Sequence, residues 1–112
     1  MVYNEKLAQR VRDILIENTQ VDEKKMMGGL TFMVCGKMCV GILKEDLMVR
    51  LDPGIYEEAL KKKGCRKMDF TGRPMKGFVF VNQQGTENKK DLVYWTNLAL
   101  EFNKKAKAHG NP

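Results

Sequence analysis

The chain has 112 residues, 43% of them hydrophobic and 30% charged, a balance that suits one compact soluble domain and leaves no length for a second. Lys and Arg total 20 against 14 Asp and Glu, and the resulting charge of +6, with a pI near 9.3, favours acidic partners such as nucleic acid or simply serves solubility. No run approaches the roughly eighteen apolar residues of a membrane helix, and the charged start Met1-Val2-Tyr3-Asn4-Glu5-Lys6 lacks a signal-peptide core, so a cytoplasmic protein without membrane contact is expected.

Tyr3, Leu7, Val11, Ile14 and Leu15 recur at helical spacing, which predicts an amphipathic helix over residues 4–17 with Asn4 as its N-cap. Val21-Asp22-Glu23-Lys24-Lys25 reads as a polar approach to the first strand, and Gly28-Gly29 as a bend at the strand entry. The Lys-Ser/Thr and following helix of a phosphate-binding P-loop are missing there. Residues 30–35 and 37–43 are predicted strands joined by a tight turn at Cys35-Gly36. Simple pairing outward from that turn sets Val34 against Lys37, Met33 against Met38, Phe32 against Cys39 and Thr31 against Val40. A turn at Lys44-Glu45 leads into a third strand and sets Ile42 against Leu47 and Val40 against Val49. On this register Phe32, Val34, Cys39 and Met48 lie on the sheet's second face.

Asp52-Pro53-Gly54 reads as a helix start, with Ile55, Tyr56, Ala59 and Leu60 inward and Gly64 as the left-handed stop. Lys61, Lys62 and Lys63 then sit at the negative end of the helix dipole, as dipole partners first and an anion-binding patch second. Residues 67–70 and 77–81 are further strands, separated by the loop Thr71-Gly72-Arg73-Pro74-Met75-Lys76. Residues 82–87 read as a polar connector, and Leu92, Trp95, Leu98, Ala99 and Phe102 mark a final helix to about residue 105, capped by Thr86 or Asn88. The expected domain is residues 1–105, with a flexible basic tail at 106–112. The element order α-β-β-β-α-β-β-α predicts a two-layer α+β domain, an antiparallel sheet with helices on one face.

A second sheet face carrying Phe32, Val34 and Met48 calls for a cover. A two-fold dimer through these residues or a free sheet edge would provide it, and so would the first or last helix of the same chain.

No catalytic constellation emerges. His109 is the one histidine and lies in the tail, and Cys35, Cys39 and Cys65 form no zinc pattern, so no metal, no cofactor and no enzymatic activity are expected. Cys39 or Cys65 as the nucleophile of a small enzyme is the weakest of the readings. The basic residues Lys61, Lys62, Lys63, Arg66, Lys67, Arg73 and Lys76 are the candidate contacts for nucleic acid or another anion, although no interleaved aromatics or helix-turn-helix accompany them.

Several stretches carry a resemblance. They are Lys25-Met26-Met27-Gly28-Gly29-Leu30-Thr31-Phe32-Met33-Val34, Gly36-Lys37-Met38-Cys39, Asp46-Leu47-Met48-Val49-Arg50-Leu51-Asp52, and Met68-Asp69-Phe70-Thr71-Gly72-Arg73-Pro74-Met75-Lys76-Gly77-Phe78. In order and spacing they resemble the N-terminal domain of the TfoX/Sxy family of bacterial competence regulators. Gly28 stands where the family often has an aromatic, and Cys35 where Asn or Asp is usual. The resemblance implies an α+β domain without catalytic residues. It also implies a role in transcriptional regulation of competence genes, with a cyclic-AMP-dependent transcriptional activator as protein partner. Full-length members carry a second, helical C-terminal domain that has no counterpart in these residues.

Overall fold

The computed structural model describes residues 3–18, 21–26, 28–67 and 77–105. The expected loop at 71–76, with Arg73 and Lys76, and the tail at 106–112, with His109, lie outside the described residues, as does most of the strand expected at 67–70.

Helix α1 spans Glu5–Asn18. Asn4 caps it by accepting from the Leu7 N–H at 3.0 Å, and Leu7, Ala8, Val11 and Leu15 form its buried stripe. The Asn4 N–H donates to the Lys44 carbonyl at 2.7 Å, which fastens the helix start to a turn of the sheet.

Six strands make one antiparallel sheet: β1 (Val21–Met26), β2 (Gly29–Val34), β3 (Lys37–Leu43), β4 (Asp46–Arg50), β5 (Cys65–Lys67) and β6 (Phe78–Val81), in spatial order β1-β2-β3-β4-β6-β5. The expected polar approach at Val21 to Lys25 is instead the edge strand β1, paired along its whole length with β2. Its charges leave no apolar alternation, yet charges suit an edge, where they discourage pairing with a further chain.

The Cys35-Gly36 turn is as expected. Cys35 at φ 54° and Gly36 at φ 74° both take the left-handed conformation that a two-residue type I′ hairpin requires, and Val34 faces Lys37 and Met33 faces Met38. Beyond that point the expected register is wrong. Phe32 faces Val40 rather than Cys39, and Thr31 faces Gly41, because Cys39 is an extra residue in β3. The β-bulge shifts every earlier residue of β2 relative to β3 and aims Phe32 into the same layer as Val40 and Val49. Without it, the largest apolar side chain of β2 would point away from the helices.

After β4, Asp52 caps a single 3-10 turn, Pro53–Ile55, by accepting from the Gly54 N–H at 2.8 Å, and α2 (Tyr56–Ala59) follows. The expected connector at 82–87 contains a short helix α3 (Gln83–Thr86). Asn88 caps α4 (Lys89–Asn103), accepting from the Lys90 N–H at 2.8 Å.

The main core lies between the sheet and the helices. Phe32, Val34, Val40, Ile42, Leu47, Val49, Val79 and Val81 meet α1, Tyr56 and Ala59 of α2, and Leu92, Trp95 and Ala99 of α4. The layered α+β architecture with helices on one face is therefore as expected. Phe32 and Val34 are interior to the single chain, so these two of the three expected interface residues are covered from within, in the core that the helices share. Met48 is only 4% exposed and packs with Met38 and Phe80 on the sheet's other face, with Met33, Leu43 and Phe78 at the margin.

A candidate anion-binding cleft

The segment after α2 turns through Lys61, Lys62 and Lys63 to Gly64, whose φ of 79° is open only to residues tolerating the left-handed region. This turn is fixed directly against α3. The Asn82 N–H donates to the Gly64 carbonyl at 2.8 Å, and the Gly85 N–H donates to the Asn82 carbonyl at 2.9 Å. A Cβ on Gly85 would stand 2.7 Å from the Lys63 carbonyl, so the two backbones approach as closely as a missing side chain allows. The lysine stems therefore leave from a fixed backbone.

Across from them runs the first half of α4. A cleft of about 300 Å³ opens between the two, with Lys62 and Lys63 on one wall, Lys90, Asp91 and Tyr94 on the other, and Gly85 and Trp95 at its base. Among the described residues three lysines and one aspartate line it. The Lys62 Nζ stands 5.0 Å from the centroid of the Tyr94 ring, in cation–π range. Tyr94 is 39% exposed while its neighbour Trp95 is 2% exposed, the rings meeting edge to face at 5.3 Å.

The structure divides the expected basic cluster. Lys62 and Lys63 enter the cleft, and Lys61 is exposed beside them. Arg66 lies on the sheet's other face, over the Phe80 ring at 5.0 Å, and its guanidinium donates to Asp46 at 2.6 Å. Lys67 is exposed at the end of edge strand β5. Lys90 and Tyr94 were not among the residues expected at a site. Their signal was available: a lysine pair opens the last helix, and Tyr94 falls off its apolar stripe.

The thiols are placed for structure. Burial pushes the Cys39 thiol up to about 12, against a smaller opposing pull from Arg50, and pushes the half-buried Cys65 up to about 11. Both are protonated, hence weakly nucleophilic, at neutral pH. Among the described residues no group of three or more His, Cys, Asp or Glu side chains could hold a metal ion. Several carboxylates are engaged elsewhere: Glu23 with Arg12, Asp46 with Arg66, Asp52 with the Gly54 N–H and Lys105, and Glu45 with Asn4 and Gln83.

Residues 13–103 match the family model of the TfoX N-terminal domain. The chain belongs to the TfoX N-terminal domain family. The match runs from within α1 to the end of α4 and so takes in the sheet and both walls of the cleft. No curated protein and no solved structure matches the chain.

A second opening of this TfoX-family domain, about 610 Å³, lies between the β2–β3 hairpin tip and the end of α4. Several of its polar groups satisfy one another. Lys37 Nζ donates to the Asn103 carbonyl at 2.6 Å, and Asn103 Nδ2 donates to the Val34 carbonyl at 3.2 Å. Both bonds serve to seat the end of α4 on the hairpin. The lysine cleft keeps more unmatched charge of one sign.

Proposed function

We propose that this chain is a non-enzymatic regulatory domain of the TfoX N-terminal type. In this reading it works in the cytoplasm through binding contacts in the transcriptional regulation of competence genes, with a transcriptional activator as its protein partner. The observation that carries the reading is the family match over residues 13–103. The chemistry of the described residues supports a binding role, since the Cys39 and Cys65 thiols are held protonated and several carboxylates are committed to caps and ion pairs. Affinity purification from the native cell after reversible crosslinking tests it. Recovery of a transcription regulator is the expected result. Recovery of no protein partner, from a preparation that turns over a small molecule, contradicts it.

A second reading, direct contact with nucleic acid, is favoured by the convergence of Lys62, Lys63 and Lys90 on one cleft. Phosphate contacts would make the logarithm of affinity fall with the logarithm of salt concentration by about 0.9 per contact on duplex DNA and about 0.7 on a single strand. Affinity indifferent to salt contradicts it.

A further inference from the structure

We propose that the cleft between the α2–β5 turn and α4 binds single-stranded nucleic acid, one base stacking on Tyr94 while Lys62, Lys63 and Lys90 take the adjoining phosphates. The proposal rests on the second reading above and narrows it to a strand form and a contact. Lysines alone would suit any anion. What separates a nucleotide from a carboxylate or a free phosphate is the combination of lysines with a partly exposed aromatic ring in the same cleft. Tyr94 is 39% exposed and shares the cleft with all three lysines. Every base has a π-face, so such a platform binds strands with little regard to sequence.

Lys62 is the residue that must move. In the free protein its ammonium lies over the Tyr94 ring, 5.0 Å from the centroid, occupying the face a base would take. A lysine stem reaches a neighbouring phosphate by rotamer change alone, and the charge-to-phosphate contact then replaces the cation–π contact. The backbone beneath does not have to follow, because Gly64 and Gly85 hold the turn against α3. Among the described residues Asp91 is the one carboxylate lining the cleft. It repels a phosphate placed against it, but as an acceptor it suits the amino or imino N–H on a base edge, which orients the nucleotide with its base toward α4.

The size of the opening selects the strand form. About 300 Å³ is at the lower end for small-ligand sites and admits a nucleotide unit, whereas a duplex keeps its bases stacked and offers no free face to Tyr94. Lys61 and Lys89, both exposed beside the cleft residues, extend the positive track beyond a single nucleotide and favour a strand over a free mononucleotide.

The test is fluorescence anisotropy of a short labelled DNA single strand at low salt with the full chain, alongside emission from Trp95, the only tryptophan, at the cleft base. The expected result is saturable binding with quenching of Trp95. Tyr94→Ala should weaken binding about tenfold or more, Tyr94→Phe should bind as the wild type does, and Lys62→Ala with Lys90→Ala should weaken binding and flatten its salt dependence. Unchanged affinity in Tyr94→Ala overturns the proposal. Binding of a matched duplex without the single strand overturns it while leaving the broader nucleic-acid reading standing, and binding of neither overturns both. Displacement of the strand by mononucleotide at equal nucleotide concentration assigns the cleft to free nucleotides and overturns the strand as ligand.

Discussion

Gly64 and Gly85 pass so close to each other that a Cβ on Gly64 would lie 2.8 Å from the Gly85 nitrogen. The contact joins two segments distant in sequence, the turn that carries the lysines and the short helix after the last strand. A Cβ on Gly85 would meet Val81 Cγ1 at 2.4 Å and the Lys63 carbonyl at 2.7 Å, and the second of these is backbone that cannot swing aside. Gly85→Ala gains helix propensity, worth up to about 1 kcal/mol, but overpacking costs about 1–3 kcal/mol. A net loss of about 1–2 kcal/mol in urea unfolding is expected, with weaker binding at the cleft. A stability equal to wild type would show that the turn is free to retreat.

The three thiols should react in a fixed order. Cys35 is exposed at the hairpin turn, Cys65 is half-buried and Cys39 is 1% exposed. Iodoacetamide labelling followed by mass spectrometry should modify Cys35 first, Cys65 slowly and Cys39 only on unfolding. Cys35→Asn should remove the fast site and raise stability by about 0.5–1 kcal/mol, because Asn tolerates the left-handed turn position better. Equal labelling of all three thiols in the folded protein would contradict the burial.

Arg12 and Glu23 tie α1 to the edge strand. The Arg12 guanidinium donates to both Glu23 oxygens, at 2.5 and 2.8 Å, and also lies over the Phe32 ring at 5.9 Å. The hydrogen bond from Arg12 holds the Glu23 carboxyl below its ordinary value, outweighing desolvation. A carboxyl lowered in the folded state contributes stability above its unfolded value and loses it as pH falls through the folded one. Glu23→Gln should therefore cost at most about 1 kcal/mol at pH 7, since the pair is a third exposed. The difference between the two proteins should shrink below about pH 4 as the carboxyl protonates. A difference independent of pH would mean that the ion pair is not its source.

Phe32→Ser distinguishes interior from interface. Phe32 is fully buried in the core between the sheet and the helices, so the substitution should lower stability by at least about 3–5 kcal/mol and leave the oligomeric state by light scattering unchanged. Dissociation of a wild-type dimer by this change, with little loss of stability, would restore Phe32 as an interface residue.

The two long helices α1 and α4 and the two hairpin turns were legible because their signals are local, whereas α3 lay hidden in what reads as a polar connector. Asn4, Asp52 and Asn88 cap as their chemistry suggests, and the stripe Leu92, Trp95, Ala99 is buried. Strand β1 was not legible, since its residues answer to the needs of an edge rather than to a buried face. The bulge was not legible either. An extra residue at Cys39 leaves no mark in composition, and it is selected by the packing of Phe32 with Val40 beneath helices far away in sequence. The same holds for the cleft. Lys62 and Lys63 were visible as a charge run, but their convergence with Lys90 and Tyr94 depends on the close passage of Gly64 and Gly85. Arg66 looked like a member of that run, and strand pairing carried it to the opposite face beside Phe80.

The most direct measurement of the central claim, that this domain acts by binding through the lysine cleft, is a two-dimensional NMR titration of the isotope-labelled chain with a short DNA single strand. The amide shifts should concentrate at residues 61–64, at Gly85 and at residues 89–95, and should vanish together as salt is raised. Shifts confined to the groove of Cys35, Lys37 and Asn103, or to the face of Met38, Met48 and Phe80, with the cleft amides unmoved, would contradict it.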